Sequence, residues 1–203
     1  MSNKLDLSLI KSGDILGVSR KTFHLIPYSI QKLTHSKFNH VGLIVEEEGK
    51  LFVIEAMNGI VKTPIEFYSE DTKNYDLVVK RVNPIFYIDE KEYKESISVA
   101  IERAYIDIGK GYDFFAIAGL ALKCVFKPIF RNFEWSKKYT MFQSKDRLFC
   151  SEAISEWFYG TNSRMKHLFI GEKDMNATPQ TSTPKDVMKA KVMGDVTGDF
   201  ELK

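Results

Sequence analysis

Apolar and polar residues alternate in short blocks through the first part of the chain and then change to a three-and-four spacing. The pattern therefore predicts strands early and helices late. After a Ser-Gly turn signal, Asp14 to Ser19 reads as a first strand, either an edge or a central filler. Lys21 to Leu33 carries a helical face interrupted by Pro27, with His24 and His35 in or just after it as surface or satisfied core residues. His40 to Val45 and Leu51 to Ala56 are strands joined by the turn EEEGK. Asn58-Gly59 makes the next turn, Ile60 to Thr63 a third short strand, and Pro64 to Tyr68 a helical turn. Tyr75 to Val82 is a further strand, and a long helix runs from Asp89 to Ile108, ended by Gly109 and Gly111.

In the second half, Tyr112 and Asp113 are read as opening an apolar helix that continues to Phe130, with Asp113 as its N-cap. Asn132 to Lys145 has no clear periodicity and reads as a loop or short helix able to cover a site. Arg147 to Phe158 is amphipathic, with Ala153, Ile154, Trp157 and Phe158 on one face. Gly160 to Thr183 reads as an extended surface segment. Thr183-Pro184 is a helix start with Thr183 as N-cap, and the tail from Gly194 reads as loosely ordered.

Two of these elements carry chemistry. Pairing Glu46 with Leu51 in the hairpin fixes every other pair, so His40 falls opposite Met57 and Gly42 opposite Glu55. His40 and Glu55 then share a face, one diagonal step apart, where a carboxylate can fix an imidazole's tautomer and stabilise its protonated form. Glu55 sits within VIEAM, where a simply buried face would call for an apolar residue. Cys150 lies in the first turn of its helix, where unpaired backbone N–H groups and the helix dipole favour a thiolate. The helix alone favours a cysteine that fills the core. Together the three residues suggest a thiol nucleophile, a histidine that moves the proton and a carboxylate that orients it, with backbone N–H groups near Cys150 as oxyanion donors.

Composition narrows the alternatives. The chain has 203 residues, with 29 Lys plus Arg against 27 Asp plus Glu, so it lacks the basic excess of a nucleic-acid binder. Two cysteines, Cys124 and Cys150, form no C-x-x-C pair and are too few for a disulfide scaffold. The N-terminus lacks a secretory h-region, so a cytoplasmic location is expected. The apolar stretch from Phe114 to Phe130 contains Lys123 and Lys127 and reads as a buried helix, with peripheral membrane contact by its basic end left open. No phosphate loop, HExxH or G-x-S-x-G is present, and no ligand spacing supports a metal site, so no cofactor is expected.

The run SGDIL, FNHVGLIV, LFVIEAM, KGYDF, LFCSEAI and STPKDV resembles the circularly permuted NlpC-type papain-like cysteine hydrolases, in particular the YiiX/YebB-like branch. The resemblance spans Ser12 to Val187 and departs in CSEAI, where CSELV is commoner. It implies one domain over residues 1–203 with its core over 12–187, and an α+β fold whose antiparallel sheet packs against helices that include the nucleophile helix. It also implies Cys150 as nucleophile, His40 as general base and acid, Glu55 as the orienting residue and Tyr112 beside the substrate pocket. The expected substrate is a peptide, for instance one derived from peptidoglycan. An acyl ester or amide, as in the lecithin retinol acyltransferase-like group, is the alternative within that chemistry. A peptide- or lipid-binding protein without turnover is the alternative outside it. The sequence does not indicate an oligomeric state.

Overall fold

The computed structural model describes residues 6–21, 36–112, 147–169, 179 and 182–196. The expected helix after Lys21 with His24 and His35, the Asp113 cap, the apolar helix with Cys124, and the segment 132–145 lie outside the described residues.

The centre of the fold is a six-stranded antiparallel sheet. Its strands are β1 (Ile15–Arg20), β2 (His40–Glu47), β3 (Lys50–Ala56), β4 (Ile60–Pro64), β5 (Tyr75–Val82) and β8 (Met193–Asp195), in the order β4-β3-β2-β1-β5-β8. β1 is thus a central strand, between β2 and β5. The short helix α1 (Glu66–Ser69) follows β4, and the long helix α2 (Glu90–Asp107) follows β5. A two-stranded parallel ladder of β6 (Gly111–Tyr112) and β7 (Arg147–Leu148) leads into α3 (Cys150–Trp157), and α4 (Pro184–Met188) precedes β8.

Strand alternation assigns the two faces. Ile15, Val41, Leu43, Val45, Ile54 and Val82 point into the larger core, which also takes Cys150, Ala153, Ile154 and Trp157 of α3 and Ala100 and Ala104 of α2. Leu16, Val18, Ile44, Val53 and Val79 point the other way, into a smaller cluster closed by Ile65 and Tyr68. Sheet faces covered on both sides explain why β2 reads as an almost unbroken apolar run.

The helices start where their caps are. Asp89 accepts from the Glu92 N–H at 2.7 Å. Thr183 and Asp186 form a reciprocal capping box behind Pro184. Gly109 ends the α2 segment at φ +94, a conformation L side chains resist. In the SGDIL stretch the carboxylate of Asp14, buried in the fold, binds Arg81 of β5 through Nε at 2.6 Å and Nη2 at 2.7 Å. This bidentate pair ties β1 to β5 and saturates a buried charge.

Three expectations are corrected. Tyr112 does not enter a helix; it lies in β6, paired with Leu148, because the parallel partner β7 captures the backbone of Gly111 and Tyr112. Gly194 is not in a loose tail, since it sits in β8 opposite Arg81. The segment from Gly160 is not wholly at the surface. Leu168 and Phe169 are buried in the larger core, with Phe169 edge-on to Phe158 at 5.3 Å. Asn162 is also buried, its Oδ1 accepting the N–H groups of Arg164 and Met165 in a side-chain-built turn.

Candidate active site

The β2–β3 hairpin turns through Glu48 and Gly49, whose φ values of 50 and 75 are those of a two-residue primed turn. The even loop sets the register: Glu46 pairs with Leu51 and Gly42 with Glu55. His40 and Glu55 consequently project from the same face, and His40 Nε2 meets Glu55 Oε2 at 2.5 Å. Gly42, opposite Glu55, makes room for this contact. A Cβ on Gly42 would stand 2.3 Å from Val53 Cγ1 and 3.2 Å from Glu55 Cβ.

The Glu55 side chain is fully removed from solvent, whereas that of His40 keeps 17% exposure. Oε2 takes a second hydrogen bond from the Tyr68 hydroxyl at 2.6 Å. Thr63 of β4 also helps to keep the carboxylate charged, and among the described residues no geometric hydrogen bond reaches Oε1. Tyr68 is a partner of Glu55 that the sequence did not reveal, because α1 carries it back over β3 from outside the hairpin. Its phenol, pushed far up by burial and by the Glu55 charge, remains a donor.

Cys150 comes from the other layer. Phe149 is the N-cap of α3, and its backbone N–H donates to the Glu152 carboxylate folded back from the first turn. Cys150 is therefore the first helical residue, with the dipole's positive end around it. The C-terminal end of α3 is matched by Arg103, whose Nη1 donates to the carbonyls of Glu156, Trp157 and Tyr159 at 3.4, 3.1 and 2.7 Å. Ser182 fixes the helix from a third side, donating to Ser151 O at 2.8 Å and accepting from Ser155 Oγ at 2.9 Å. This is the structural content of the late STP motif.

The backbone links the two halves of the site. The N–H of Ile60 donates to Lys110 O at 2.8 Å, and Gly109 N–H returns to Ile60 O at 2.9 Å. The turn after β3 is thereby joined to β6, which pairs with β7 just ahead of Cys150. Gly59 has to be glycine there, since a Cβ would lie 2.9 Å from Lys110 O.

His40 reaches both partners. Its Nε2 is taken by Glu55, and Cys150 also acts on the ring. Burial works against the imidazolium, but hydrogen bonds to Cys150 and Glu55 and the charges of both outweigh it and raise His40 from 6.5 to about 10. For Glu55, burial alone would raise the carboxyl. The His40 bond and charge, with the Tyr68 donation, hold it below 4.5. Cys150, His40 and Glu55 are thus brought together. Tyr112 pairs with Leu148, two residues before Cys150, and packs on the larger core.

A family model described as permuted papain-like amidase enzyme, YaeF/YiiX, C92 family, matches residues 10–197. The chain belongs to this family. Its mixed architecture, with an antiparallel sheet against helices, is the permuted papain-like fold expected of the family. Among solved structures, the crystal structure of metalloprotein yiiX from Escherichia coli O157:H7 is similar over 93% of this chain and 97% of that chain, with a TM-score of 0.58 and 21% identity. At that identity the likeness speaks for the fold. No curated protein gives a significant match. That neighbour is described as a metalloprotein; among the described residues of this chain, no group of three or more His, Cys, Asp or Glu could hold a metal ion. Among the same residues, no helix is long and apolar enough to cross a membrane.

Proposed function

We propose that the chain is a cysteine hydrolase that cleaves an amide bond in a peptide-like substrate, with Cys150 as nucleophile, His40 as general base and acid, and Glu55 as the orienting carboxylate. The observation that carries this reading is the placement of one imidazole between a carboxylate on Nε2 and a thiol at a helix start. An imidazole that merely filled the core would not hold a fully buried carboxylate at 2.5 Å while a cysteine bears on the same ring.

The steps follow from that placement. His40 takes the thiol proton, and the Cys150 sulfur attacks the amide carbonyl carbon, moving the C=O pair onto oxygen. Backbone N–H groups of the first turn of α3 face the charge that develops there. As the tetrahedral intermediate collapses, the C–N bond breaks and His40 delivers its proton to the leaving amine, leaving a thioester on Cys150. His40 then takes a proton from water, the hydroxide attacks the thioester carbonyl, and the acid departs as the sulfur recovers its charge. Glu55 keeps the ring from turning and stabilises the imidazolium without itself taking the proton. Tyr112 borders the site and is assigned to substrate contact.

The reading is tested by acyl trapping. Brief exposure to p-nitrophenyl acetate is expected to leave an acetyl group on the Cys150 peptide, detected by mass spectrometry, and Cys150→Ala is expected to abolish turnover. Turnover unaffected by that substitution, with no acetyl on Cys150, would overturn it.

A further inference from the structure

We propose that Tyr68 is a positioning residue of this site: by donating to Glu55 Oε2 it keeps the carboxylate charged and aimed at His40, and so sets the lower end of the pH range in which Cys150 reacts. The proposal rests on the assignment of Cys150 and His40 given above.

The geometry points to this role in three ways. The hydrogen bonds from His40 at 2.5 Å and from Tyr68 at 2.6 Å converge on Oε2 of Glu55, while among the described residues none reaches Oε1. A carboxylate with no solvent contact depends on such donors to stay ionised, so each of them matters more than it would at a surface. Second, the phenol is held rather than free. Tyr68 is 2% exposed, and its ring is edge-on to Phe67 at 5.1 Å and to Tyr75 at 5.2 Å, so the hydroxyl cannot swing away. Third, Tyr68 lies in the smaller cluster, on the opposite side of the sheet from α3. Its hydroxyl donates to Glu55, which in turn holds His40.

The groups that bear on Glu55 come from every neighbouring element. They are His40 from β2, Thr63 from β4, Tyr68 from α1, and, at longer range through Tyr68, Tyr75 from β5 and Cys150 from α3. Among them, only Tyr68 and His40 donate to the carboxylate within 3 Å. If the phenol is removed, Glu55 binds a proton at higher pH, and a neutral Glu55 no longer supports the imidazolium beside Cys150. The acid limb of reactivity then moves upward.

The test is the pH profile of iodoacetamide alkylation at Cys150, followed by peptide mass spectrometry. Tyr68→Phe keeps the ring packing and is expected to raise the acid limb by about one pH unit, a tenfold loss on that limb, while the plateau changes little. The same substitution in a Glu55→Gln background is expected to shift nothing further, because the phenol acts through the carboxylate. Should Tyr68→Phe fail to fold, fluorotyrosine placed at position 68 is a stronger donor of the same shape and is expected to lower the acid limb. An acid limb that stays in place in these variants, or a shift that persists without Glu55, overturns the role of Tyr68. A wild-type protein with no rapid, His40-dependent alkylation fails at the earlier step, and both assignments fall together.

Discussion

His40 Nε2 and Glu55 Oε2 stand 2.5 Å apart because a two-residue turn puts Gly42 opposite Glu55 and so sets both side chains on one face of the sheet. The contact is ionic as well as geometric. Glu55→Gln keeps the shape but removes the charge that supports the imidazolium. Acylation of Cys150 by p-nitrophenyl acetate is expected to slow by ~10²-fold or more, measured as the burst rate constant. A burst within a factor of about two of wild type would mean that Glu55 only fills space.

Gly42 supplies the room for that contact. Gly42→Ala would drive a methyl to 2.3 Å from Val53 Cγ1, in strands that cannot part without losing their ladder. The expected cost is ~1–3 kcal/mol in urea unfolding, accompanied by slower acylation as Glu55 is displaced. Unchanged stability would show that β3 yields more readily than its packing suggests.

How far the sequence showed this in advance depends on how local the cause was. The hairpin register was readable for an even loop, since pairing Glu46 with Leu51 puts Gly42 opposite Glu55, and the two-residue turn meets that condition. Cys150 at the start of α3, with Ala153, Ile154, Trp157 and Phe158 inward, followed from helical spacing. Tyr68 was not readable, because its partner lies on a strand that reaches it only after the sheet has folded. Tyr112 was placed in a helix because no local signal marks a two-residue parallel ladder with Arg147 and Leu148. Asp14 looked like the first residue of a strand, and its ion pair with Arg81 depends on the pairing of β1 with β5.

Ser182 anchors α3. Its hydroxyl bridges Ser151 O and Ser155 Oγ in a buried setting, so Ser182→Ala removes a donor to Ser151 O and the acceptor of Ser155 Oγ. A loss of ~1–3 kcal/mol is expected in denaturant unfolding. Stability equal to wild type would mean that water takes over both bonds.

The ion pair also gives the fold a pH signature. His40 is raised from 6.5 to about 10, so its contribution is complete below 6.5 and is lost as pH climbs through about 10. Glu55 is held below 4.5, so its contribution is complete above 4.5 and is lost as pH falls through its folded value. The pair therefore supports the fold best between 4.5 and 6.5. Urea midpoints across pH should show wild type falling toward a His40→Asn/Glu55→Gln double variant on either side of that window. Parallel curves would contradict the shifts.

The most direct measurement of the central claim is the rate of iodoacetamide alkylation of Cys150 at neutral pH, in the wild type and in His40→Ala, with peptide mass spectrometry to separate Cys150 from Cys124. A reactive thiol paired with His40 predicts alkylation well above that of a free cysteine in the wild type, and a loss of that advantage in the variant. Alkylation no faster than free cysteine, and indifferent to His40, would return Cys150 to the role of a packed core residue.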